Sequence, residues 1–166
     1  MEQLHRNLEE IFTQKHRKLS LHTVAAIALQ MFTALRDLHE AGYLHRDLKP
    51  ENMMVHSNRH SIKLIDFGLA DTLKVRRAST LIGNVRFCSR GSHFGLSSKK
   101  DDLESLIYVL YYFASGSLPW QNSSKQDIEA EINRRSDLPL PAEPDTPILA
   151  SKTNFLSLAH FSPSKN

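Results

Sequence analysis

The sequence predicts a mainly helical α+β fold carrying one small β-hairpin. Three observations lead there. Apolar residues recur at three- and four-residue steps from Val24 to Leu38, which is the signature of a helix with one buried face. A second run, DDLESLIYVLYYFAS from Asp101, is apolar on almost every side after its acidic first turn, as expected of a helix buried at the domain centre. Two short β-prone runs, 53–55 and 62–65, flank the turn-like HSNRH and predict the hairpin. A chain of 166 residues is one domain's length and buries roughly 70% of its unfolded surface.

Taken in order, NLEEIFT opens with a short helix: Asn7 supplies an N-cap, and Glu9 and Glu10 suit the positive end of the helix dipole. Ser20 caps the long helix whose stripe is Val24, Ile27, Ala28, Met31, Leu35 and Leu38, and Gly42 ends it. After the hairpin and Asp66-Phe67-Gly68, about thirty residues lack clear periodicity, and a loop of that length inside a compact domain usually serves function. Leu118-Pro119-Trp120 ends the second long helix, and SSKQDIEAEINRR predicts an exposed amphipathic one. Four prolines within 137–147 predict an extended segment, and a weak helix is expected around Phe155 to Phe161.

Composition excludes several classes. A formal net charge of +3 with no basic helix face gives no footprint for nucleic acid. The longest apolar stretch, Leu106 to Phe113, is too short to cross a bilayer, and the charged first twenty residues do not read as a signal peptide. Cys88 is the one cysteine, so no intramolecular disulfide forms; a reducing, intracellular setting, cytoplasmic or nuclear, is the expectation. His56 and His60 are four apart but separated by a turn, so scattered surface histidines are the better reading than a metal site.

The chemistry concentrates in GYLHRDLKPENMMV, residues 42–55. Moving a phosphoryl group from a nucleotide to a hydroxyl needs magnesium, which takes hard oxygen ligands, and Asn52 and Asp66 offer them from two loops flanking the hairpin. Asp47 can orient the attacking hydroxyl, and Lys49 can set positive charge where the transferring phosphoryl accumulates electrons. Singly, each residue reads better as a helix cap or a solvated charge. Together with Asp-Phe-Gly fourteen residues beyond Asn52, HRDLKPEN at 45–52 matches the ordered signature set of protein kinases.

The chain therefore resembles a protein kinase, and residues 83–121 resemble the casein kinase I family more closely. Ser89-Arg90-Gly91 stands where other kinases carry Ala-Pro-Glu, followed by DDLESL at Asp101 to Leu106 and GSLPW at Gly116 to Trp120. Met1-Glu2 and NLEEIF at Asn7 to Phe12 resemble the family's connector between lobes and the helix after it. The resemblance implies a serine/threonine kinase using Mg2+ with ATP, in which Asp47 and Lys49 are catalytic and Asn52 and Asp66 hold magnesium. It implies that Met54 and Ile65 floor the adenine pocket, although hairpin core explains them equally well. His45, Arg46 and Asp102 would support the catalytic loop, Asp102 from the buried helix. Arg86, with Lys74, Arg76 and Arg77, would attract acidic or already phosphorylated protein substrates.

Two departures from that pattern stand out. Gly83-Asn84 replaces Gly-Thr, whose threonine bridges the catalytic acid and lysine in serine/threonine kinases. No glycine-rich loop or V-A-I-K lysine precedes His45, so the expected fold is the large C-terminal lobe, residues 1–135, without the small lobe, followed by a divergent tail, 136–166. The alternative to a truncated kinase is a catalytically inactive lobe that binds protein, and its uncovered surface would favour self-association.

Overall fold

The computed structural model describes residues 4–56, 61–73, 81–124, 127, 128 and 130, all within the first of two units, Met1–Arg134. The strand β1 (Leu4–Asn7) leads into α1 (Leu8–Gln14), and α2 (Leu21–Glu40) leads into β2 (Tyr43–Leu44). A short 3-10 turn (Pro50–Asn52) precedes the hairpin β3 (Met53–His56) and β4 (Ile62–Leu64). Then come β5 (Asp71–Thr72), α3 (Arg90–His93) and α4 (Lys99–Ser115).

The two early caps lie where the sequence puts them. The Asn7 side chain accepts from the Glu10 amide at 2.8 Å, and Ser20 Oγ accepts from the Thr23 amide at 3.1 Å. Each satisfies an N–H that the first helical turn leaves without a partner, worth about 1 kcal/mol. Gly42, at φ +90°, turns the chain out of α2 in a conformation that costs glycine nothing. On α2, Val24, Ile27, Ala28, Met31 and Leu35 are buried, and Leu38 is packed against the core.

The hairpin forms as an antiparallel pair, with Met53 opposite Leu64 and Val55 opposite Ile62. It is not alone. β1 adds to its other edge in the order β1-β3-β4, and a separate two-stranded ladder pairs Tyr43 with Thr72 and Leu44 with Asp71. Neither addition has a sequence signal: LHRN does not alternate, and two-residue strands are too short to show a period.

α4 starts at Lys99, two residues before the acidic pair, so Asp101 and Asp102 lie inside its first turn. It crosses α2 and delivers Leu106, Val109, Tyr112 and Phe113 to the core. There Tyr112 packs tilted and Phe113 edge-on against Phe12 of α1, with ring centroids 4.9 and 5.2 Å apart. Contrary to the expectation of burial all round, Leu103, Ile107 and Tyr111 form an exposed stripe at four-residue steps. Hydrophobicity reports what a helix can bury, not what lies against it. Of the predicted helix after Trp120, Ile128 is buried in the core. The proline segment and the expected helix around Phe155 to Phe161 fall outside the described residues, as do Lys74, Arg76 and Arg77.

Candidate active site

The 45–52 loop is built downward from α4. Asp102, almost wholly buried, accepts three hydrogen bonds on its two carboxylate oxygens. The His45 amide donates to Oδ2 at 2.8 Å, the Arg46 amide to Oδ1 at 2.9 Å, and His39 Nε2 to Oδ2 at 2.8 Å. Those three donors offset the cost of taking a carboxylate out of water. His39 is the residue that the sequence reading missed. Its signal was available, because it continues the buried α2 row Met31, Leu35 at the next four-residue step.

His45 has no exposed surface and bridges the two halves of the site. Its Nδ1 accepts from the Asp47 amide at 3.3 Å, which leaves the proton on Nε2 for the carbonyl of Ile65 at 3.1 Å. Burial holds the imidazole below its usual titration range, consistent with a neutral ring that must accept on one side. Arg46 stands at φ +66°, a left-handed conformation that costs a non-glycine residue about 1–2 kcal/mol. Its guanidinium donates to the Leu69 carbonyl at 2.7 Å and pairs with Asp71 at 3.1 Å, tying the loop to the segment after Asp66.

Asp47 is buried except for a small fraction of its surface. Its Oδ2 accepts from Lys49 Nζ at 2.6 Å and from the Asn52 amide nitrogen at 3.2 Å, and its carbonyl accepts from that same nitrogen at 2.9 Å. Oδ1 faces Gly83: a Cβ built there would lie 3.5 Å from it and only 2.2 Å from the Arg46 carbonyl. At φ +93° and this close to backbone, only glycine fits position 83. Asn84, next along, turns its side-chain oxygen to the Arg86 amide at 2.9 Å rather than bridging Asp47 and Lys49. A short Asn side chain closes its own turn readily.

With its nitrogen committed to Asp47, the Asn52 amide keeps its oxygen for another partner. The Ile65 amide donates to the Asn52 carbonyl at 2.9 Å, which brings Asp66 to the same end of the hairpin. Asp66 is exposed, stands at φ +62°, and accepts from the Gly68 amide at 3.3 Å. One carboxylate and one amide oxygen are hard ligands of the kind magnesium takes when phosphates supply the rest. No group of three or more His, Cys, Asp or Glu gathers as a metal cage among the described residues. Met54, half-buried, pairs across the sheet with Asn7 and Lys63, and Ile65 lies beside it at the hairpin's base. Arg86 is exposed three residues beyond Gly83, and its carbonyl accepts from the Trp120 indole at 2.8 Å.

A second clasp holds the segment after Gly83. Asp101 accepts from Ser89 Oγ at 2.6 Å and from Ser98 Oγ at 2.5 Å, while Glu104 accepts from the amide and guanidinium of Arg90. A Cβ on Gly91 would lie 2.2 Å from Asp101 Oδ1, so Ser89-Arg90-Gly91 fits this acid by touch. The two neighbouring acids of α4 thus anchor two different loops. No helix among the described residues is long and apolar enough to cross a membrane. Compared with known families, residues 1–157 match the family described as protein kinase domain.

Proposed function

Because this chain belongs to the protein kinase domain family, we propose that Asp47 orients a protein hydroxyl for phosphoryl transfer and that the chain is of the casein kinase I type. The observation that carries the reading is the asymmetry of the Asp47 carboxylate. Oδ2 is held by Lys49 and Asn52, whereas Oδ1 faces the side-chain-free backbone of Gly83. A hydroxyl seated over Gly83 donates its hydrogen bond to Oδ1, which aims its oxygen and receives the proton as the bond to phosphorus forms. Lys49, already 2.6 Å from Oδ2, carries the positive charge that faces the transferring group.

Mg2+ with ATP, when bound, would supply the γ-phosphoryl group and neutralise charge on its oxygens, the bond from the γ-phosphorus to the bridging oxygen breaking and ADP leaving as the acceptor's bond forms. Asn52 and Asp66 would hold the ion, and Met54 with Ile65 would form the floor under the base. Serine/threonine specificity and the casein kinase I type rest on the Ser89-Arg90-Gly91 clasp to Asp101 and on the DDLESL and GSLPW runs. Arg86 would draw acidic or already phosphorylated substrates by charge-assisted hydrogen bonds. The region 1–135 is taken as the lobe that carries this chemistry. A second reading, a non-catalytic protein-binding lobe open to self-association, is favoured by Phe67, half exposed beside the site.

The test is transfer from labelled ATP, at millimolar nucleotide, to an acidic casein-like protein, with the acceptor amino acid identified. Asp47→Asn should cost at least about a thousandfold in turnover, ~4 kcal/mol of barrier. A loss below about tenfold would remove Asp47 from the chemistry. Label on tyrosine would refute the casein kinase I assignment.

A further inference from the structure

The hairpin has two faces, and the site above uses one of them. Side chains alternate along β3, so Val55 and its partner Ile62 point away from the face that carries Met54. Beneath them is a groove of about 650 Å³ between α1, α2 and the sheet. Its floor is apolar, formed by Ile11, Ile27, Val55 and Ile62. Its rim is cationic: Arg6 and Lys15 carry permanent charge, and His5 stands beside them. No carboxylate lines it among the described residues.

We propose that this groove is a docking site for an acidic amphipathic peptide segment of a partner protein, remote from the phosphoryl-transfer chemistry. The volume falls in the range of sites that enclose several side chains. An apolar floor under a one-sign rim selects a segment that alternates leucine-like anchors with Asp or Glu. Arg6 is held in place by a 2.5 Å bond to Gln14, a neutral partner that leaves the charge uncompensated. A flat anionic membrane meets the rim but cannot reach a recessed floor, so the apolar residues favour a peptide.

Binding of a fluorescein-labelled peptide, with leucines at three- and four-residue steps and glutamates between them, measures the proposal by anisotropy. Versions carrying Gln or Lys in place of Glu are the controls. The Glu peptide should bind the full chain about tenfold tighter than the Gln peptide, and the Lys peptide weaker still. Ala26 lines the groove from the exposed side of α2, so substitution there leaves the core intact. Ala26→Glu and Lys15→Glu should each weaken the Glu peptide by about tenfold, whereas Ala26→Lys should keep or tighten it. Asp47→Asn should leave the affinity unchanged, which separates docking from the catalytic reading. Equal binding of all three peptides, or indifference to Ala26→Glu, would overturn the proposal. So would uptake onto phosphatidylserine vesicles without peptide binding, or self-association of the chain that Ala26→Glu abolishes.

Discussion

The 45–52 loop and the 66–73 segment lie side by side and are made on opposite principles. In the first, His45, Asp47 and Asn52 are buried, and each is tied to other protein groups: both His45 ring nitrogens, Asp47 Oδ2 and the Asn52 amide nitrogen are bonded. In the second, Asp66, Phe67, Gly68 and Leu69 are exposed. It is held by Arg46 at Leu69 and Asp71, and by the Leu73 amide donating to the Gly42 carbonyl at 3.0 Å. The buried loop is fixed by folding, before any ligand arrives, and that is what electrostatic preorganisation requires. The exposed segment keeps its acid in water, where a ligand can reach it. On the proposed function, the same residue type, aspartate, would be held by the fold in one place and left open for a ligand in the other.

The largest break in that contrast comes at Asp102. Asp102→Ala leaves three buried donors, the His45 and Arg46 amides and His39 Nε2, without an acceptor. The expected loss is about 3–5 kcal/mol, a large part of the 5–15 kcal/mol that holds a typical domain together. Urea unfolding should show the midpoint falling in proportion, and a change under about 1 kcal/mol would mean that the loop stands without its anchor.

Gly83→Ala comes next. The new Cβ meets the Arg46 carbonyl, and the residue must also hold φ +93°. Together these cost about 1–3 kcal/mol. This change also places a methyl group 3.5 Å from Asp47 Oδ1, where the acceptor hydroxyl is proposed to sit, so activity should fall further than stability alone accounts for.

How much of this is legible in the sequence depends on whether a residue's partner is local. The capped starts of α1 and α2, the α2 stripe and the hairpin rest on neighbours within a few positions, and the sequence shows them. So does HRDLKPEN, whose spacing alone brings Asp47, Lys49 and Asn52 into one cluster. The 57-residue reach from His45 to Asp102 is visible only through family resemblance. The Arg46–Asp71 pair, the Ser89–Asp101 clasp and the docking groove needed the fold, because nothing in the spacing of those residues distinguishes them from surface charges. Asn84 shows the local case again: its oxygen's partner is the Arg86 amide two residues away, a shorter bond to close than a bridge to Asp47.

A smaller effect separates the two regions by pH. Burial holds His45 below its ordinary 6.5 in the folded chain, while the unfolded chain titrates normally. Above 6.5 both states are neutral and the group contributes no pH dependence. As pH falls below 6.5 the unfolded state takes up the proton first, so stability declines until the folded pKa is passed. His45→Phe should be less stable near neutrality but lose less on acidification. Parallel acid limbs in denaturation curves of the two proteins would show that another group is responsible.

The smallest expected change in stability is at Asp66, and it tests the contrast most sharply. Asp66→Asn keeps the side-chain oxygen that accepts from the Gly68 amide, and asparagine tolerates the φ of +62° as well as aspartate does. The position is exposed, so no desolvated charge is removed or stranded. Stability should stay within about 0.5 kcal/mol of the parent, the range of ordinary surface changes. What changes is the formal charge offered to a cation. If Asp66 and Asn52 hold magnesium as proposed, the ion would lose the carboxylate among those two ligands, so any Mg2+-dependent gain in nucleotide affinity should disappear. Titrating a fluorescent ATP analogue with and without Mg2+, beside urea unfolding of the same samples, reads both quantities. If Asp66→Asn unfolds the chain by more than about 1.5 kcal/mol, the acid is structural and the division between the two segments fails; if it leaves the Mg2+ dependence intact, the cation is held elsewhere.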